Sequence, residues 1–188
     1  MRADAEANHE AIIDAAIVLF ADVGLAASTR AVASAAGVGI GTLYRHFPTR
    51  EDLVIGVAKH VMGRVNEAAV RCGQQWDAGP EAAWRKLVTD LVALRPGRLI
   101  AQVADAAEIG GLTDREHPIM RRRREVLAVL EGILDRAKAA GLVHGDVRAD
   151  AFAIGIAQLS RPLSETVDDL VPGWEQWLVE VYVRGLRP

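Results

Sequence analysis

Gly37 is the residue that most narrows what this chain can fold into. It closes an alanine-rich stretch, Ala31 to Ala36, at the point where a helix must end in a left-handed residue, a backbone that only glycine adopts cheaply. Before the glycine stands Ala33, whose small side chain would let a second helix cross at close range. After it, Leu43 and, one helical turn further, Phe47 return large apolar groups to the shared core. This spacing fits two short helices joined by a turn of about three or four residues. An ordinary helical hairpin would explain the glycine, but not the chemistry that faces outward.

That chemistry appears when residues 40 to 47 are projected at about 3.6 residues per turn with Leu43 and Phe47 pointing inward. Gly41 and Arg45 then point away, flanked by Thr42 and Tyr44. Arg45 can donate paired hydrogen bonds to a guanine edge or one to a phosphate, and the hydroxyls of Thr42 and Tyr44 suit phosphate oxygens. Gly41 leaves room for backbone to approach a duplex. Ile40 either touches a thymine methyl in the major groove or acts as a staple onto the first helix. His46 either contacts phosphate or is a half-buried histidine at a helix end. The pattern is that of a helix-turn-helix DNA reader.

The segment resembles the DNA-binding domain of the TetR/AcrR family of bacterial transcriptional regulators. The matching words are Thr29-Arg30 opening the second helix, Ala-Gly-Val at 36–38, Gly-Thr-Leu-Tyr-x-His-Phe at 41–47, then Pro48 and Arg50-Glu51-Asp52-Leu53. The resemblance implies that Thr29, Thr42, Tyr44, His46 and Arg50 hold phosphates, and that Arg30, Ile40, Gly41 and Arg45 lie near bases. The family frequently has serine followed by a basic residue where this chain has Gly39-Ile40. A side-chain cap and one positive charge are therefore missing, glycine being only an acceptable cap.

Charge points the same way. Residues 1–50 contain Arg2, Arg30, Arg45 and Arg50 against Asp4, Glu6, Glu10, Asp14 and Asp22. Without a basic excess, non-specific phosphate neutralisation is weak, and binding must rest on a few well-placed donors.

The whole chain, 188 residues with a formal charge of −3 and 51% hydrophobic residues, has the composition of a soluble globular protein of one or two domains. Charged residues interrupt every apolar stretch well short of the ~18 residues that span a bilayer. The start, MRADAEANHE, is too acidic for a secretion signal, so a cytoplasmic location is expected. Cys72 is the single cysteine and is read as a small packed apolar residue. No period of about 20 to 50 residues recurs.

Helical periodicity runs throughout, and an all-α fold of about nine helices is expected. A first helix over about 6–23 carries Ile12, Ala16 and Leu19 on one stripe and ends at Gly24. After the two short helices, one over about 50–72 repeats Leu53, Val57, Val61 and Val65 and would act as a lever between domains. Further helices are expected at about 80–94, 97–109, 118–140, 148–165 and 173–186, punctuated by Pro80, Pro96-Gly97, Pro118, Gly141 and Pro172-Gly173. The domains divide as 1–50 for the reader, 50–72 for the start of the connecting helix, and 73–188 for an effector-binding and dimerisation domain.

Readers of this kind bind paired half-sites ~34 Å apart, which needs a second copy at fixed spacing. The resemblance implies that the last two long helices form a four-helix dimer interface, with Phe152, Gly155, Ile156 and Leu159 on one and Trp174, Trp177, Leu178, Val181 and Tyr182 on the other. These side chains would serve equally as this domain's own core. The resemblance also implies an apolar cavity for a small-molecule effector. Trp84, Leu87, Leu91, Val103, Met120, Leu127 and Phe152 are spaced to face such an interior, with Asp90, Arg95, Asp105 and Glu108 as polar anchors, although packed core and solvated surface explain them as well.

Three other patterns carry less. Gly37-x-Gly39-x-Gly41 lacks the preceding strand of a dinucleotide loop. Arg121 to Arg124 point in different directions on a helix and can pair with Glu125 or Asp114. Five histidines are scattered without metal-ligand spacing, and His144-Gly145-Asp146 reads as a turn.

The expected protein is a homodimeric regulator, a repressor that binds a palindromic operator and is released by a small molecule, with no cofactor, no metal and no catalytic residues. Two rivals stand beside it: a helical enzyme using Asp90, Asp105, Glu108 and His117, and a ligand-independent regulator that acts through a protein partner.

Overall fold

The computed structural model describes residues 2–95, 97, 117–161 and 169–188. Within them the regular structure is helical: α1 (Arg2–Val23), α2 (Thr29–Ala35), α3 (Ile40–His46), α4 (Arg50–Gln75), α5 (Pro80–Ala93), α6 (Pro118–Ala139), α7 (Ala149–Leu159) and α8 (Trp174–Gly185). Short 3-10 turns follow α1 at Gly24–Ala26 and α4 at Trp76–Ala78. The helix expected at 97–109 lies outside the described residues except for Gly97, as does the 162–165 end of the helix expected to begin at 148. Two boundaries extend beyond expectation: α1 begins at Arg2 and α4 runs on to Gln75.

Local chemistry explains the punctuation. Gly37 has φ +68° and follows the α2 C-cap, as its position in sequence requires. The Ser28 hydroxyl caps α2 by accepting from the Ala31 amide. Thr49 caps α4: its hydroxyl accepts from the Asp52 amide at 3.0 Å, and the Asp52 carboxylate accepts from the Thr49 amide at 3.0 Å. This reciprocal pair satisfies two otherwise unmet donors and fixes where the long helix starts.

Two apolar cores result. The first joins α1, α2, α3 and the beginning of α4 through Ile12, Ile13, Phe20, Val32, Leu43, Phe47, Leu53 and Val57. The second joins the later part of α4 to α5, α6, α7 and α8 through Cys72, Trp84, Leu87, Leu91, Leu130, Leu134, Phe152 and Val183. Helix α4 belongs to both, which gives it the connecting position expected of a lever. Between the cores, Ala58 of α4 and Ile119 of α6 form a small buried cluster with Ile55 and Met62 against it. That contact sets the start of α6 on the stretch of α4 nearest the reader.

The second core is closed by specific contacts. Glu131 on α6 accepts from the Ala149 amide at 2.8 Å, so a side chain from another helix does the capping that Arg148 does not. The Arg136 guanidinium lies 5.0 Å from the Trp76 ring and reaches Asp77. The His144 amide donates to the Leu186 carbonyl, and Arg187 pairs with Glu81, fastening the end of the chain. His144 and Asp146 pair at 2.6 Å within the turn expected at that place.

Candidate DNA-reading surface and effector domain

The first core buries Leu43 and Phe47 at 0% and 3% exposure, which turns the opposite side of α3 outward. Gly41, Tyr44 and Arg45 are exposed, Ile40 is at the edge of exposure, and Thr42 is half-buried. A Cβ added to Gly41 would meet nothing within 4 Å, so backbone can be approached there. Gly39 caps α3 by its backbone only. Arg30, on α2, is exposed as well, and the hydroxyls of Thr29 and Tyr44 lie 3.2 Å apart, tying α2 to α3 across this surface. The structure therefore brings Thr29, Arg30, Ile40, Gly41, Thr42, Tyr44 and Arg45 together on two adjoining helices. Their hydroxyls, guanidinium groups and open backbone are the donor set that a duplex accepts.

Two expected phosphate contacts have other partners. Arg50 donates from Nη1 to the Ala27 carbonyl at 2.8 Å, stapling the start of α4 to the turn before α2. His46 is half-buried, its ring 5.8 Å from His9 and 6.4 Å from Phe47, so the reading of a packed histidine at a helix end describes it. His9, whose ring lies 5.0 Å from Phe47, has no signal in the sequence beyond its place on α1. The Thr49-x-x-Asp52 capping box places Arg50 at the first turn of α4.

In the second core, Trp84, Leu87, Leu91 and Phe152 lie together, with Leu127 packed against them. Met120 is half-buried on α6 outside that cluster, and Val103 lies outside the described residues. Of the polar anchors expected from the sequence, Asp90 and Arg95 have charged partners of their own. Asp90 pairs with Lys86 at 3.0 Å and lies 3.8 Å from Arg71, and Arg95 lies 3.8 Å from Glu175. Asp105 and Glu108 lie outside the described residues. His117 caps α6, its Nδ1 accepting from the Ile119 amide, so the catalytic grouping considered for a helical enzyme has Asp90 and His117 in structural roles.

The residues expected at a dimer interface divide between two sides. Phe152 and Ile156 are 1% and 3% exposed within a single chain, and Leu159 is half-buried against the same core. Within the chain Phe152 and Ile156 pack inward, with Leu159 partly buried beside them. The cause is the close approach at Gly155, where a Cβ would run into the Tyr182 hydroxyl and sit 2.8 Å from its Cζ. Tyr182 fills that notch, its hydroxyl donating to the Phe152 carbonyl, and burial pushes its pKa up to about 12. On the other side, Ile154, Trp177 and Val181 are 59%, 64% and 45% exposed, and Leu170 and Val171 stand out too. Trp174 is half-buried. Trp177 and Val181 thus sit on an outward apolar face, whereas Phe152 and Ile156 of α7 face the core.

Among the described residues no group of three or more His, Cys, Asp or Glu side chains is placed to hold a metal ion, and no helix is long and apolar enough to cross a membrane.

Residues 12–57 match the model of the bacterial TetR regulatory family, and residues 79–188 match that of the C-terminal domain of SbtR-like transcriptional regulators. The chain belongs to the TetR family. Over 92 residues this TetR-family regulator is 39% identical to the transcriptional repressor LfrR of Mycolicibacterium smegmatis, a stretch covering 48% of this chain and 47% of LfrR. It is similar along its whole length to a TetR regulator from Mycobacterium vanbaalenii, 30% identical with TM-score 0.68, covering 100% of this chain and 99% of that one. The structure of LfrR in complex with proflavine aligns with TM-score 0.71 at 27% identity, covering 96% and 94% of the two chains. The TetR-family assignment makes α2 and α3 a helix-turn-helix and this chain a DNA-binding transcriptional regulator.

Proposed function

We propose that this TetR-family chain is a cytoplasmic repressor that binds a palindromic operator as a homodimer and leaves it when a small molecule enters the C-terminal domain. The observation that carries the proposal is the presence of two outward surfaces on one chain. The α2–α3 face offers Arg30, Tyr44 and Arg45, and the α7–α8 face offers Ile154, Trp177 and Val181 to a second copy. A reader of this size covers one half-site, and a paired copy supplies the second at a fixed separation of ~34 Å. Within the reader, Thr29, Thr42 and Tyr44 hold phosphates while Arg30, Ile40, Gly41 and Arg45 face bases; His46 and Arg50 buttress α3 and the start of α4.

Release follows from the connectivity. Helix α4 is shared by both cores, and the Ala58–Ile119 contact lies between them. A ligand that favours one packing of α5 to α8 therefore tilts α4, and the separation of the two reading helices changes with it. The complex of LfrR with proflavine supports a ligand-responsive domain of this fold.

Selecting bound sequences from random DNA tests the reading. Inverted repeats with half-sites about one helical turn apart are expected, bound more weakly as salt rises. Recovery of a single unrepeated site would refute the homodimer, and recovery of no sequence at all would refute the reader.

A further inference from the structure

The second core holds one polar atom that its own chain leaves unmet. Trp84 is 1% exposed, yet its indole Nε1 has no hydrogen-bond partner among the described residues. Buried tryptophan N–H groups normally find an acceptor, and one left without costs about 1–3 kcal/mol. Among the described residues the surroundings offer none. The Trp84 ring lies 5.3 Å from Phe152, which stacks on Tyr182 at 6.2 Å, and Leu87, Leu91 and Val88 complete the apolar neighbourhood. The Tyr182 hydroxyl is occupied by the Phe152 carbonyl. Ser160, the buried polar residue of the described chain, donates to the Ala157 carbonyl and accepts from the Gly97 amide.

On the reading that this domain binds a small molecule, we propose that the Trp84 indole N–H is the polar anchor of the effector site and takes the hydrogen-bond acceptor of an uncharged, largely apolar molecule. The acceptor class is a ketone, ester or ether oxygen. Charge is disfavoured because no ionised side chain is buried among the described residues, so an anion or cation there would lose its water without gaining a partner. Aromatic and aliphatic walls supply the rest of the contact area, and a single donor sets orientation. Because Trp84 is enclosed, the molecule enters only as α5 and α7 part, which couples occupancy to the packing that holds α4.

Full-length protein labelled with 15N at its indoles gives one Nε1–H signal for each of four tryptophans, Trp76, Trp84, Trp174 and Trp177, and Trp84→Phe assigns the one of interest. The probes are benzophenone, diphenylmethane, which has a methylene in place of the carbonyl, and the diphenylacetate anion. Benzophenone should move the Trp84 signal downfield and bind about 10-fold more tightly than diphenylmethane, with diphenylacetate weakest. Trp84→Phe should shrink that preference below about 3-fold. Replacing Trp84 with 3-benzothienylalanine, which keeps the shape and lacks the N–H, should do the same and raise the melting temperature of the free protein. An unchanged preference in both variants, or equal binding of ketone and hydrocarbon to the native protein, overturns the anchor but leaves an effector domain standing. No shift of any core signal with any of the probes overturns the anchor together with the reading it rests on.

Discussion

The reader and the C-terminal domain handle polar groups in opposite ways. In the reader the buried core is apolar, while Arg30, Tyr44 and Arg45 stand exposed, the Tyr44 hydroxyl tied to Thr29, and the backbone at Gly41 is open to be approached. In the C-terminal domain an unmet donor, Trp84 Nε1, lies inside, while Asp90 pairs with Lys86 and Arg71, and Arg95 with Glu175. One region is built to present chemistry from a finished scaffold, and the other has a scaffold that is not finished until something joins it. The contrast explains why a short segment suffices for the first and a network of distant helices is needed for the second.

The largest effect is expected where the two regions depend on a second copy. Trp177→Glu combined with Val181→Glu places two charges on an exposed apolar face without disturbing the core. Dimer dissociation should rise about 100-fold or more, and operator binding should weaken with it, while circular dichroism stays unchanged. Sedimentation showing an intact dimer would move the interface to another surface. Next comes Arg45→Ala, which should reduce operator affinity by about 10–100-fold and leave dimerisation and melting temperature alone. Tyr44→Phe should cost less, since it removes one phosphate donor and the contact with Thr29. If Arg45→Ala bound the operator as well as the native protein does, α3 would not be the reading helix.

How far sequence alone reached follows from the same contrast. The reader was legible because its signals are local: Gly37 at +68°, and the inward pair Leu43 and Phe47 that fix which side of α3 faces out. The hydrogen bond from Arg50 to the Ala27 carbonyl was not legible, because the two residues are 23 apart and leave no mark on spacing. In α7 the apolar residues run nearly all the way round, Phe152 and Ile156 on one side and Ile154 on the other, so periodicity could not choose the buried face. The choice was made by Tyr182, contributed from a different helix, fitting the notch at Gly155. The unmet Trp84 donor was beyond sequence altogether, being a statement about what every neighbour lacks.

That notch gives a test confined to the C-terminal domain. Gly155→Ala puts a methyl where the Tyr182 ring sits, and because the ring is wedged under Phe152 the displacement should cost about 1–3 kcal/mol. Thermal unfolding should show the loss as a fall of roughly 2–10 °C. Tyr182→Phe in the same chain should recover part of it by removing the hydroxyl in the way. Stability equal to the native protein would mean that α7 and α8 meet less closely than they do here.

The smallest effect concerns Glu131, and its pH dependence makes it informative. The Ala149 amide, followed by Lys138, holds this carboxyl below its ordinary value near 4.5. A carboxylate with a lowered pKa adds stability that is complete above its unfolded value and disappears as pH falls through the folded one. Glu131→Gln should therefore melt lower at pH 7, and the gap should close as pH falls through the lowered folded value of this carboxyl. Because the side chain is 41% exposed, solvent screening keeps the pH 7 difference to about 1–2 °C. A gap of the same size at every pH would mean that the loss comes from packing, since the glutamine amide oxygen can still accept from Ala149. A closing gap assigns it to the charge that caps α7, and with it the contact by which α6 orients the helix that carries Phe152.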